Sequence, residues 1–386
     1  MKEASLSKME AVASQVLNPS VGDDAPALGA KRTPLARALR VNAWWLWIGF
    51  LTYLALGRVE HPEFLSRAQL TLLFAPLVTI PLGLRLMLTP ASDLDDPAHG
   101  VLPKLAPLAE KLRRLAVTTQ YPLALVSIPG VLMSDHAWLE MAGASLWGAW
   151  TLLCSLSALL RFAALGLRGR PLEELCFDMG MLFLGIGGVW LIFWAYGVQP
   201  LGFPRAIVLF TAAHFHFAGM GVPFMFGLLG RWLRTLEVGA SSKARASHKL
   251  WRVAAFCTLA GVPLVAVGIT ATKLGAPTWI QPCCAIPLIF SLFALDALLV
   301  WKVIRKSASK TARLFMSFAV LANVWAMSIA VLFVIGVGRQ KAIVLIAEPI
   351  DQVYMADWHG FFNAIVFLGF GLLAWLLAVR LLNRAG

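Results

Sequence analysis

Long apolar runs alternate with short polar ones along this chain. Ten apolar segments stand out, at residues 41–57, 70–88, 115–133, 138–160, 175–197, 205–229, 253–272, 282–301, 314–337 and 356–380. Each is about 17–25 residues long, enough for a helix rising 1.5 Å per residue to cross roughly 30 Å of hydrocarbon. The pattern predicts an all-α polytopic membrane protein, with a bundle of about ten transmembrane helices in residues 41–382. Only Ser134-Asp135-His136-Ala137 separates the third and fourth segments, which predicts a tight helical hairpin. Residues 1–40 begin as a polar stretch rich in Ser, Ala, Asp and Pro, without the short apolar core of a signal peptide. They are expected to form a disordered cytoplasmic tail.

The charges give the orientation. With the N-terminus in the cytoplasm, the inside segments are the tail, 89–114, 161–174, 230–252, 302–313 and the C-terminal end, and they hold 26 of the 33 Lys and Arg. The outside segments hold Arg58, Arg67, Arg205, Lys273, Arg339 and Lys341. A bias kept through every alternate loop supports both the span count and a topology with both termini cytoplasmic. The two longest inside loops, 89–114 and 230–252, are expected to hold short amphipathic helices, with Lys111, Arg113 and Arg114 at the headgroup level.

Composition agrees. The chain is 59% hydrophobic and only 14% charged, against about 25% charged in soluble domains. A net charge of +13 would point to nucleic acid in a soluble protein, but the loop bias accounts for it. The lipid bilayer is the partner implied; no nucleic acid is expected, and the sequence names no protein partner. The five cysteines, at 154, 176, 257, 283 and 284, show no CxxC or other metal-type spacing. The Cys283-Cys284 pair, flanked by prolines, is expected to cap a helix. No internal repeat is visible, which argues against a secondary transporter.

The chemistry-bearing residues concentrate toward the outer side. His214 and His216 lie within the sixth segment, His214 roughly 10–13 Å from its outer end by the helical rise. Ionisable groups at such depth default to a functional reading. Two positions apart on a helix, the imidazoles face nearly opposite ways, so they serve separate sites, or one is a ligand and the other a hydrogen-bonded core residue. His359 and Asn363 are four apart and share a face of the tenth segment. These four residues form the candidate cofactor-binding set, and His61 and His136 in the outside loops are further candidate metal ligands. Glu348, Asp351 and Asp357 lie near them in sequence, and imidazole with carboxylate suits Zn, Cu, Fe or Ni. The competing account is that the histidines only bridge helices by hydrogen bonds. Asp178 and Asp296 are expected to meet interfacial water or pair with Arg or Lys. Thr118, Thr119, Gln120 and Tyr121 are candidates for a polar seam. There is no Gly-rich phosphate loop, GxSxG elbow or HExxH motif, which argues against a soluble-type hydrolase or kinase site.

Two resemblances follow from these residues. Ala75-Pro-Leu-Val-Thr-Ile-Pro-Leu-Gly-Leu84, Thr211-Ala-Ala-His-Phe-His-Phe-Ala-Gly219 and Trp358-His-Gly-Phe-Phe-Asn-Ala364 resemble the YndJ-like bacterial membrane proteins over most of the apolar part. That resemblance implies a bacterial inner-membrane protein and carries no assigned activity. Locally, Ala213-His-Phe-His-Phe217 is similar to the AHFHY helix of haem-copper oxidases, which ligates two haems from opposite faces. The oxidase pattern also needs a His-His pair and an HPEVY helix. This chain has no His-His pair, and its HPE, at His61, lies in a loop, so oxidase activity is not implied. The expectations are a haem- or transition-metal-binding redox or sensor protein, a transporter or channel for a small solute, or an accessory membrane protein without chemistry of its own.

Overall fold

In the computed structural model the described residues are 64–88, 102–132, 137–166, 170–236, 242–307, 309–339, 343–345, 348–351 and 354–382. Nine helices among them occupy nine of the ten apolar segments. The tail, the segment 41–57, and the loop residues Glu60, His61, Asp135 and His136 lie outside the described residues. Helix α1 runs Phe64–Phe74, then through a π-helical turn at Ala75–Thr79 into Ile80–Met87. Next come α2 (Ala106–Leu132), α3 (Ala137–Leu165) and α4 (Leu172–Ala195). Helix α5 has three parts, Arg205–His214, a π turn at Phe215–Gly221, and Val222–Thr235. Then follow α6 (Ser242–Lys273), α7 (Ile280–Leu298 with a π turn at Leu299–Ile304) and α8 (Lys310–Arg339). Helix α9 begins as two π-helical stretches, Met355–Gly360 and Phe362–Phe370, and ends as Gly371–Leu382. Among the described residues eight helices, all but α2, contain a stretch long and apolar enough to cross a membrane. The chain is an all-α polytopic membrane protein.

Three features differ from the sequence reading. The described residues of the loops expected to hold short amphipathic helices extend the long ones: Lys111, Arg113 and Arg114 are in the early turns of α2, and the basic stretch after residue 229 is shared between α5 and α6, while 89–101 and 237–241 lie outside the described residues. Glu110 ties this start of α2 together, pairing with Arg113 and Arg114. Partial burial works to raise its carboxyl, but the two guanidiniums outweigh that and hold it below the usual range. Between α8 and α9, Val344–Leu345 (β1) pairs antiparallel with Glu348–Pro349 (β2). The Cys283-Cys284 pair lies in the first turn of α7, and all five thiols are free.

Small residues set the closest helix approaches, as expected where lipid tails compete equally for apolar surface. Gly130 of α2 and Gly143 of α3 meet backbone to backbone; a Cβ on Gly143 would lie 2.8 Å from the Gly130 Cα. On α4, Gly185 and Gly188 receive Ser155 and Thr151 of α3.

Prolines explain two of the π turns. In α1 the Ile80 N–H bonds the Ala75 carbonyl, five residues back. The next donor in that register would be residue 81, a proline, which has no N–H. The Pro76 carbonyl so released accepts Gln120 Nε2 of α2 at 2.7 Å. In α5 the same pattern recurs: Val222 N–H bonds the Phe217 carbonyl, and Pro223 follows. The π stretches of α9 contain no proline, and nothing in their sequence explains them.

Ion pairs lock one end of the bundle. Glu173, Glu174 and Asp178 lie in the first two turns of α4, where the helix dipole favours acids. Arg231 of α5 grips Glu174 with two bonds of 2.7 and 2.8 Å, caps the Met87 carbonyl of α1 at 3.1 Å, and lies 4.4 Å over the Phe177 ring. Arg234 pairs with Glu173, and Arg161 and Arg170 pair with Asp178. Asp178 thus meets arginines as expected. At the opposite end Arg205 pairs with Glu140 at 3.0 Å and Arg67 with Asp357 at 2.9 Å.

Candidate functional site

The π turn of α5 carries the His-Phe-His stretch, and its two imidazoles diverge. His216 is fully buried. Its Nδ1 lies 2.8 Å from the Ala212 carbonyl, and its Nε2 accepts the indole N–H of Trp147 at 2.9 Å. A carbonyl can only accept and an indole can only donate. The ring is therefore the neutral Nδ1–H form, with both nitrogens engaged. Gly187 of α4 makes room for it, since a Cβ there would sit 2.7 Å from Nδ1. Trp147 stacks on Trp150, whose indole bonds the Ala116 carbonyl of α2. His216 thus ends a row of two hydrogen bonds and a ring stack joining α2, α3 and α5. Axial ligation by this ring would require Trp147 to withdraw.

His214 points the other way, toward α6. Its Nε2 lies 3.3 Å from the Val262 carbonyl, the residue before Pro263. Since that nitrogen faces an acceptor it carries the proton, and Nδ1 keeps a lone pair. On α9 the arrangement is mirrored. Nδ1 of His359 donates to the Ala326 carbonyl of α8 at 2.9 Å, so Nε2 keeps the lone pair. His214 and His359 are close enough for a charge on one to act on the other.

Asn363 stands one turn beyond His359. Its Nδ2 lies 3.3 and 3.4 Å from the two ring nitrogens and 3.7 Å from the Met327 sulfur. Its Oδ1 is buried with no donor among the described residues. A buried acceptor left this way is exceptional in native proteins and calls for a ligand, an ion or a water. Sequence reasoning missed Met327, whose sulfur lies beside the Asn363 amide. No sequence signal marks it, because a methionine in an apolar helix reads as packing.

The nearby acids are used elsewhere. Asp357 pairs with Arg67, and Asp351 accepts the Tyr354 N–H at 2.9 Å, capping the start of α9. Neither supports an imidazole. Among the described residues no three His, Cys, Asp or Glu side chains gather in a way that could hold a metal ion. His61 and His136 lie outside the described residues, as does the side chain of Glu348. The proposed polar seam on α2 divides: Thr118 and Thr119 turn back onto the Leu115 carbonyl, while Gln120 is committed to Pro76.

The chain is 29% identical over 238 residues to a Bacillus subtilis (strain 168) protein named "Uncharacterized membrane protein YndJ", an overlap of 61% of this chain and 38% of that protein. The chain thus matches less than two-fifths of that relative's length. No solved structure matches. The model of the family described as YndJ-like protein covers residues 70–367, from within α1 into α9, and this chain belongs to that family.

Proposed function

We propose that this is a bacterial inner-membrane protein, with both termini in the cytoplasm, that holds a transition-metal ion or haem in the outer half of its bundle. His214 and His359 are the ligands in this reading, Asn363 supports them, and His216 anchors the helix that carries His214. One observation carries the proposal. Each of the two imidazoles donates one N–H to a carbonyl of a neighbouring helix and leaves its other nitrogen unprotonated; on His359 that nitrogen, Nε2, faces the Asn363 amide at 3.4 Å, which turns aside when a ligand binds. That is how ligating histidines are oriented and their tautomer fixed. The protein supplies two nitrogen bases and a nearby carboxamide oxygen, a set suited to imidazole-loving metals such as Zn, Cu, Fe or Ni.

The test is purification in mild detergent, followed by an absorption spectrum and elemental analysis. The wild type is expected to carry a stoichiometric metal or a Soret band, lost in His214→Ala and in His359→Ala. A colourless, metal-free wild type that remains folded would sink the cofactor reading. It would leave an accessory membrane protein whose histidines bridge helices.

A further inference from the structure

The apolar stretch of α7 carries one carboxyl group, Asp296, and that of α8 one carboxamide, Asn323. The sequence reading placed Asp296 against interfacial water or a basic partner. The structure places it elsewhere. Asp296 is 4% exposed and Asn323 fully buried. Asn323 Nδ2 donates to Asp296 Oδ2 at 2.7 Å. The other oxygen of each group, Asp296 Oδ1 and Asn323 Oδ1, is buried and has no donor among the described residues.

The charged groups around the pair are occupied or distant. Helix α8 has no titratable residue between Arg313 and Arg339, and α9 none between His359 and Arg380. On α7 itself Lys302 lies six residues on, with its backbone carbonyl bonded by Trp232 of α5. Cys283 and Cys284 lie at the far end of α7. Helix α6 runs antiparallel to α7 with Gly261 against Leu288, which brings the buried Ala254 and Ala255 level with Asp296. The titratable residues of α6 nearest that level are Arg252, which is exposed, and Cys257, which is half-buried; His248 lies against Trp251. On α5, Arg231 and Arg234 are paired with Glu174 and Glu173. None of these groups forms an ion pair with Asp296.

An ionised carboxylate in such a place has lost its water and gained no counter-charge, the arrangement that apolar interiors penalise most. Two acceptor oxygens with no donor between them add to the penalty. One proton removes both faults. Placed on Asp296 Oδ1 it neutralises the carboxyl and provides a donor for Asn323 Oδ1, while Asn323 Nδ2 continues to donate to Oδ2. With that proton the acid and the amide would close on each other, each oxygen having a partner. A metal cation fits less well, because hard cations take six or more oxygens and this pair offers two.

We propose that Asp296 and Asn323 form an intramembrane proton-binding site. The carboxyl takes its proton from water and changes from negative to neutral, and the carboxamide holds that proton by accepting its hydrogen bond. The pair shares no side chain with the histidine set, although Asn323 lies one turn of α8 from Ala326, whose carbonyl bonds His359.

The test uses the full-length protein in lipid nanodiscs and infrared difference spectroscopy. At near-neutral pH the wild type is expected to show the carbonyl stretch of a protonated carboxylic acid. The band disappears in Asp296→Asn, shifts in Asn323→Leu, where the acceptor is gone, and persists unchanged in His214→Ala. Asp296→Asn keeps a neutral group of the same shape and is expected to unfold at no lower temperature than wild type. Absence from the wild type of any band that Asp296→Asn removes overturns the proposal, and needs no variant to fold beyond that one. Loss of the band at fixed pH on adding sodium or potassium overturns it in favour of a metal cation.

Discussion

Trp147 of α3 donates its indole N–H to the buried Nε2 of His216 in α5, 69 residues away. This bond closes the hydrogen-bonding capacity of His216 and pins the π turn against α3. Replacing Trp147 by Phe keeps a ring in place but leaves Nε2 without a donor. Stranding a buried acceptor costs about 1–3 kcal/mol. Trp147→Phe is therefore expected to lower the unfolding temperature in detergent while leaving any metal or haem content intact. Loss of the cofactor without loss of stability would instead mean that His216 is the ligand.

Gln120 offers a parallel case on α1. Its amide fills the one carbonyl that the proline-bounded π turn releases. Gln120→Leu keeps similar bulk and removes the donor, and is expected to destabilise the fold by about 1–3 kcal/mol. The unfolding midpoint measures it. Gln120→Glu is expected to be less harmful at low pH, where the buried carboxyl is protonated and can donate to the carbonyl, than at high pH, where an ionised carboxylate cannot.

Much of the bundle was legible in the sequence. Apolar length alone located the helices, because a membrane span has one dominant requirement, enough apolar residues in a row. The π turns were harder to see, yet Pro81 and Pro223 mark two of them, each one residue past the point where the backbone register slips. In the site, the opposite facing of His214 and His216 follows from their spacing. Their different fates do not, since the neighbours that decide them, Trp147 and Val262, are far away in sequence. The same holds for Asp296, where only the fold shows a carboxamide in place of an arginine or water. The short strands Val344–Leu345 and Glu348–Pro349 had no alternating pattern to announce them.

Arg231 binds three helices at the ion-paired end. Its side chain and that of Glu174 are only 16% and 11% exposed, so the pair is largely shielded from water. Removing one member of a buried pair typically costs about 3–5 kcal/mol, because the other charge stays behind. Arg231→Gln is expected to cost that much in unfolding free energy, and Arg231→Lys to recover only part of it. A lysine has the charge but not the fork that spans both Glu174 oxygens and the Met87 carbonyl. If the lysine variant matched wild type in thermal unfolding, charge alone would explain the contact.

The orientation proposed for the bundle places the loop around residues 230–252 in the cytoplasm. Reporter fusions or single-cysteine labelling at residue 240 test it directly. A reporter at that position is expected to be active only if it is of the kind that works inside the cell. Labelling by a membrane-impermeant thiol reagent in intact cells would reverse the topology and move His214 and His359 to the inner half.

Asn363 separates the ligand site from simple helix bridging. In the bridging account its amide only joins α9 to α8, a contact worth about 0.6–2 kcal/mol, and Asn363→Leu changes thermal stability alone. In the ligand account the Asn363 amide turns off His359 Nε2 and presents its unpaired Oδ1 to the bound group. Losing an outer-shell partner typically lowers metal affinity about 10–100-fold. The expected result is therefore a tenfold to hundredfold weaker affinity in Asn363→Leu, read by titrating the stripped protein with Zn²⁺ and, separately, with haem. The His359 ring keeps its bond to the Ala326 carbonyl in the variant, so the fold should change little. A variant with reduced stability but unaltered affinity for both probes would assign Asn363 to packing and leave His214 and His359 without an outer shell.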